Sequence, residues 1–168
     1  MRFMAWLAGA LAVGGCAGTS AEAPLTIPLG LARADAERAL AAHQYCPRAG
    51  EAAEREMVYP RCDRPAAEWG DSWVTAIYDG DQLVELRRWE RYADDQRATQ
   101  RWNQLVFDRA KSNASADDAD QALRTHGLQP GTRAVKVFHG DGGAIVGVYL
   151  LTPQEPDRAN VLERIVKP

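Results

Sequence analysis

Two glycine-rich turn signals, each set between β-branched and aromatic residues, constrain the fold of this chain most. The first is Asp79-Gly80-Asp81 and the second is Gly140-Asp141-Gly142-Gly143. Turns of this composition connect adjacent antiparallel strands, so the sequence predicts two β-hairpins. The predicted strands are residues 73–78 and 83–89 in the first hairpin and residues 133–139 and 144–151 in the second.

Helical patterns alternate with these hairpins. Residues 31–43 are rich in strong helix formers. Residues 94–111 place apolar side chains at the spacing of one helix face, with Ala98, Trp102 and Leu105 on it. A shorter helix is predicted over the polar residues 117–126.

The expected architecture is therefore α+β. We predict a single domain over residues 27–152, in which an antiparallel sheet of about four strands packs with two to three helices. The segment 47–69 is expected to be irregular or to hold a short strand. In the C-terminal tail, residues 153–168, four apolar side chains stand at helical spacing and allow a short helix.

The N-terminal residues have the composition of an export signal. Arg2 supplies a positive charge, residues 3–13 are apolar and uncharged, and Val13-Gly14-Gly15-Cys16 ends the run. A transmembrane helix would need about 20 apolar residues, more than are present. An ordinary signal peptide cleaved after Ala21-Glu22-Ala23 remains an alternative.

Val13-Gly14-Gly15-Cys16 resembles the lipobox of bacterial lipoproteins. The resemblance implies that residues 1–15 are a signal peptide, that Cys16 is acylated, and that residues 16–26 form a flexible tether to a membrane. In that family, Ala17 rather than Asp after the lipidated cysteine implies sorting to the outer membrane, with the domain on the periplasmic side.

Cys46 and Cys62 are the two cysteines that remain in the domain. A cysteine pair in an exported chain favours a disulfide. The spacing fits neither the Cys-x-x-Cys motif of a redox site nor the clustered ligands of a zinc site. We therefore predict one structural disulfide and no metal.

Composition and motifs give little support for catalysis or nucleic-acid binding. The chain has 20 basic and 23 acidic residues and a net charge of −3, which does not suggest nucleic acid as a partner. Gly70-Asp71-Ser72 is similar to the nucleophile block of the GDS(L) esterases, but it is followed by Trp73 rather than Leu. The Asp-x-x-His that those enzymes need near the C-terminus is also absent. We expect neither an enzyme nor a cofactor.

The helix beginning near Leu31 and the hairpin that ends at Trp89 are similar to the opening elements of small α+β lipoproteins. These families include the small lipoprotein of the outer-membrane β-barrel assembly machine and the β-lactamase inhibitor-like domains; the match covers residues 29–90. The resemblance implies a non-enzymatic module that contacts other proteins. Trp and Arg are frequent interface anchors, so we predict a contact surface at Trp73, Arg87 and Trp89.

The resulting hypothesis is a lipid-anchored, periplasm-facing module that binds or scaffolds an envelope protein. An inhibitor or sensor domain for a soluble periplasmic enzyme is one alternative. A small hydrolase that uses Ser72 is another.

Overall fold

The computed structural model describes residues 22–48, 54–64, 71–116 and 129–167. They form helices α1 (Arg33–Ala42) and α2 (Asp95–Ser112) and a 3-10 turn, Asp141–Gly143. The strands are β1 (Glu56–Pro60), β2 (Ser72–Asp79), β3 (Gln82–Glu90), β4 (Thr132–His139), β5 (Ile145–Leu151) and β6 (Val161–Val166). The lipobox and the helix predicted over 117–126 lie outside the described residues.

All six strands belong to one antiparallel sheet with the order β1-β2-β3-β6-β5-β4. The chain order is a helix followed by three strands, twice over, and β3 and β6 meet at the centre of the sheet. The α+β class and the antiparallel sheet are confirmed. The prediction of about four strands is wrong because β1 and β6 were not counted.

The prediction of a short helix in the C-terminal tail is wrong, because this segment contains a strand. Val161, Leu162, Ile165 and Val166 belong to β6 and not to a helix. Five of the six residues of β6 are buried, so burial does not alternate along the strand. Its two charged residues, Glu163 and Arg164, are buried in ion pairs, and the four apolar residues around them are left at a spacing that also fits a helix.

The two helices lie on one face of the sheet, which we call the helix face; the opposite side is the outer face. Side chains alternate between the two faces along each strand. On β3, Leu86 points to the helix face, where it joins the main apolar core with Leu40 of α1 and Leu105 of α2. Trp89 points to the outer face, in a smaller cluster with Tyr149, Leu151 and Leu162.

The helix ends behave as their sequences indicate. Asp94 caps α2 by accepting a hydrogen bond from the Arg97 amide at 2.8 Å. Ala32 precedes α1 and provides no side-chain cap. Just beyond α1, the predicted disulfide joins Cys46 to Cys62, which follows β1. The bridge therefore ties the end of the helix to the edge of the sheet.

Residues 22–29, which we call the strap, run on the helix face beside α2. Leu25 and Ile27 are buried in the main core, with Leu25 wholly inaccessible. The tether was expected to extend to residue 26 because residues 17–26 are small and polar. The structure corrects this boundary, since residues 22–26 are part of the folded domain.

Candidate functional site

Three buried arginines hold the main chain of the strap. Arg88 lies on β3 between Leu86 and Glu90, and its Nη1 donates to the Ala23 carbonyl at 2.7 Å. Arg101 and Arg109 project from the buried side of α2. Arg101 Nη2 donates to the Glu22 carbonyl at 2.7 Å, and Arg109 Nη2 donates to the Leu25 carbonyl at 2.5 Å.

Two buried glutamates form ion pairs with these three arginines. Glu163 on β6 lies directly opposite Arg88, 2.8 Å from its Nη2, and accepts from Arg109 Nε at 2.8 Å. Glu90 on β3 accepts two hydrogen bonds from Arg101, at 2.7 and 2.8 Å. We call these five residues the arginine clamp. The backbone amide of Leu25 also donates to Glu163 at 3.2 Å. The clamp therefore forms hydrogen bonds with an N–H group of the strap as well as with its carbonyl groups.

The surroundings of Glu90 and Arg88 favour the charged form of each side chain. Burial alone would raise the pKa of Glu90, but the hydrogen bonds from Arg101 and the charge of Arg88 outweigh it and lower that pKa. Burial likewise opposes the charge of Arg88, yet the carboxylates of Glu163 and Glu90 raise its pKa. The cluster is enclosed between α2, the sheet and the strap, so its charges fix chain geometry and are not presented to a substrate.

A polar cleft of about 540 Å³ lies beside the disulfide. Its wall contains Ser72, the candidate nucleophile, together with Glu22 of the strap. Ser72 Oγ lies 2.6 Å from the Tyr45 hydroxyl, and burial raises the pKa of that hydroxyl well above neutrality. Tyr45 therefore cannot take a proton from Ser72 at neutral pH. The other residues lining the cleft are His43, Gln44, Arg61, Asp63, Arg64 and Asp71.

The charged groups of this cleft pair with one another. Arg61 contacts Glu22 at 2.8 Å, and Arg64 contacts Asp71 at 3.0 Å. Glu22 also accepts a hydrogen bond from Tyr45 at 3.0 Å. The side chain of Glu22 thus fastens the first described residue of the strap to the segment that carries the disulfide.

The three residues of the predicted contact surface share the outer face of the sheet. Trp73 and Trp89 are direct cross-strand partners, and Arg87 lies opposite Thr75. Trp73 is only 2 % exposed, with the Arg91 guanidinium 5.7 Å from its ring centre. Arg87 is half-buried and bonded to Glu85 at 2.6 Å. Trp89 is half-buried and lines a pocket, so it is the best placed of the three for contact.

The pocket at Trp89, which we call the Trp89 pocket, has a volume of about 160 Å³. Its remaining walls come from the turn before β4 and from the loop between β5 and β6. The lining residues are Trp89, Gln129, Pro130, Leu151, Thr152, Gln154, Glu155, Asp157 and Ala159. Sequence reasoning missed this pocket, because Glu155 and Asp157 lie 66 and 68 residues after Trp89 in the chain and approach it only through the β3–β6 pairing.

Sequence reasoning also missed the arginine clamp, although a signal was present. The buried positions of α2 are Ala98, Arg101, Leu105 and Arg109, so two arginines occupy the helix stripe that faces the core. Arginine is almost never fully buried unless it is paired. Charged residues on an otherwise apolar stripe therefore point to a buried ion-pair network.

Comparison with known proteins gave no match: no family model, no curated protein and no solved structure is significantly similar to the chain. Among the described residues, neither helix is both long enough and apolar enough to cross a bilayer. The same residues contain no group of His, Cys, Asp and Glu side chains arranged to hold a metal ion. Cys16 lies outside the described residues.

Proposed function

We propose that this protein is a lipid-anchored lipoprotein of the outer membrane, facing the periplasm, that binds or scaffolds an envelope protein without catalysing a reaction. The observation that carries the proposal is the incorporation of strap residues 22–25 into the core by the arginine clamp. This contact distinguishes the two possible N-terminal cleavage sites, before Cys16 and after Ala23, because only one of them leaves residues 22 and 23 in the mature protein.

Cleavage after Ala23, at the ordinary signal-peptidase site, would remove Glu22 and Ala23. The carbonyls that accept from Arg101 and Arg88 would be lost, and so would the Glu22 carboxylate beside Arg61. A buried donor without an acceptor costs about 1–3 kcal/mol, and more when it is charged. Cleavage before Cys16 keeps all of these contacts, so the fold favours the lipoprotein site.

The strap also limits how far the domain extends from its anchor. Five residues, 17–21, separate Cys16 from Glu22. At about 3.3–3.6 Å per residue they reach roughly 20 Å. A domain held this close to a bilayer meets partners in or near the membrane at high effective concentration, which suits a scaffolding role.

The anchor is tested by the intact mass of the mature protein and by membrane fractionation. We expect a protein that begins at Cys16 with two or three acyl chains and that leaves the membrane when Cys16→Ser removes the attachment atom. The control is Ala21→Leu with Ala23→Leu, which destroys the alternative cleavage site; the mass should change only by that of the two substitutions, and the location should not change. A wild-type mature protein that begins at Pro24 would show cleavage at the ordinary signal-peptidase site and would refute the proposal.

Protein binding is tested by placing a photo-crosslinking amino acid at Arg87, beside Trp89 on the outer face. The control position is Phe107, which is 61 % exposed on the solvent side of α2. We expect an envelope protein to be crosslinked from position 87 and not from position 107, and only in cells that express the anchored form of the protein. Capture of one soluble periplasmic enzyme from both the anchored and Cys16→Ser forms would instead favour the inhibitor or sensor alternative.

The hydrolase alternative has a direct test of its own. Ser72→Ala removes the hydroxyl that contacts Tyr45 and leaves the cleft otherwise intact. An unchanged cellular phenotype with this variant is the expected result, and loss of a measurable ester-hydrolysis activity would overturn the non-enzymatic assignment.

A further inference from the structure

We propose that the Trp89 pocket receives the guanidinium group of an arginine side chain from a protein partner. The inference rests on the proposed protein-binding function and adds the chemistry that the partner must present. It is carried by three properties of the pocket: its size, its aromatic wall and its charge.

The size and wall suit one flat side chain. The pocket volume of about 160 Å³ has room for a single large side chain and not for a folded element. Trp89 forms part of the wall and is itself packed against the cluster of Tyr149, Leu151 and Leu162. A tryptophan held in place in this way offers a ring face without a large loss of side-chain entropy, and a guanidinium stacks on such a face.

The charge of the pocket selects a cation. Glu155 and Asp157 line it, and no basic residue does among the described residues. Glu155 Oε1 accepts from Arg158 at 2.5 Å and Asp157 Oδ1 accepts from the Ala159 amide at 3.2 Å. Within the described part of the chain, the second oxygen of each carboxylate has no hydrogen-bond partner, so it can accept from another donor.

The remaining polar groups distinguish arginine from lysine. The side-chain carbonyls of Gln129 and Gln154 and the hydroxyl of Thr152 add acceptors to those of the two carboxylates. A guanidinium has five donors in one plane and no acceptor, whereas the ammonium of lysine is a compact, strongly hydrated point charge. The combination of a ring face with several acceptors matches the planar group.

The test uses the chain with Cys16→Ser, which lacks the sulfur atom for acylation, so binding is measured without a lipid anchor on residue 16. The probes are N-acetyl-arginine amide, its citrulline counterpart, which has nearly the same shape without the charge, and N-acetyl-lysine amide. Binding is followed by the indole N–H signal of Trp89 in proton–nitrogen NMR spectra, assigned with Trp89→Phe. We expect the arginine probe to bind roughly tenfold more tightly than the citrulline probe, with lysine between them.

Matched variants locate the charge. Glu155→Gln with Asp157→Asn should weaken arginine binding about tenfold, and Asn keeps an oxygen for the bond to Ala159. Asp95→Asn removes an exposed carboxylate that pairs with Arg133 elsewhere and should leave binding unchanged. Unfolding curves of the variants confirm that the fold is retained.

Equal binding of arginine and citrulline, equal binding of arginine and lysine, or a shift of the Trp89 signal with a neutral saccharide alone would each overturn the proposal. If the Cys16→Ser chain binds the arginine probe but no partner is crosslinked in cells, the protein-binding function is refuted. The assignment of the Trp89 pocket as a guanidinium site would still stand. The two proposals therefore fail separately.

Discussion

Replacing Glu163 with glutamine tests whether the arginine clamp holds the two halves of the sheet and the strap together. The substitution preserves side-chain shape, removes the negative charge and replaces one of the two acceptor oxygens with an NH2 donor. Arg88 and Arg109, both buried, then lose the carboxylate they share. Arg88 keeps Glu90 at 3.2 Å, and Arg109 keeps the Leu25 carbonyl, so each retains part of its bonding.

The magnitude follows from these contacts. Removing one partner of a buried ion pair costs about 3–5 kcal/mol, because the other charge stays buried without compensation. Here one carboxylate serves two arginines, which places the expected loss toward the upper part of that range. A small domain is stable by only about 5–15 kcal/mol, so Glu163→Gln should remove a large share of the total.

Urea unfolding at pH 7, followed by the fluorescence of the native tryptophans, measures the effect. With a slope of about 1–3 kcal/mol per molar urea, the midpoint should fall by roughly 1–5 M. Asp95→Asn is the control: its carboxylate is 62 % exposed in an ion pair with Arg133, and such pairs contribute at most about 1 kcal/mol. Similar losses for the two variants would refute the assignment of the clamp as the main buried electrostatic element.

Three other changes have defined expectations. Because the folded pKa of Glu90 is lowered, its contribution to stability is present above the unfolded value of about 4.3 and is lost as pH falls through the folded pKa; Glu90→Gln should therefore lower the urea midpoint at pH 7 and flatten its decline between pH 5 and about 2. A steeper decline would contradict the sign. Cys46→Ala with Cys62→Ala opens a loop of 16 residues and should cost about 3 kcal/mol, so reduction of the wild-type protein should lower its melting temperature to a similar degree. Gly147→Ala would place a Cβ 2.5 Å from Cε2 of the buried Tyr149 ring, and we expect a loss of about 1–3 kcal/mol in thermal unfolding; an unchanged melting temperature would mean that the ring can move aside.

Local sequence signals predicted the parts of the fold that local chemistry determines. The Asp79-Gly80-Asp81 turn fixed the first hairpin, and β2 and β3 extend only one residue beyond the predicted strand at each end. Helix α2 was predicted over residues 94–111 and is found at Asp95–Ser112. In both cases a turn signal or a cap marks the boundary within the segment itself.

Long-range pairing determined the parts that were missed. Glu56–Pro60 is a strand because its backbone pairs with β2, although prolines and charges surround it in the sequence. β6 is a strand because β3 and β5 pair with its two edges. The residues that line the pocket with Trp89 come from two other parts of the chain, 129–130 and 151–159, and no local pattern reveals which segments meet.

The position of β6 has a consequence for export. This strand joins β3 to β5 and supplies Glu163 to the clamp, yet it is the last of the described strands to be synthesised and, in the export that we propose, the last to be translocated. Without it, strands β1, β2 and β3 share no pairing with β5 and β4, and Arg88 loses Glu163 as its partner. The chain should therefore stay unfolded, and threadable through a translocation channel, until nearly all of it has been made. In the exported lipoprotein that we propose, folding would then be completed on the periplasmic side of the membrane, where the cysteines can be oxidised.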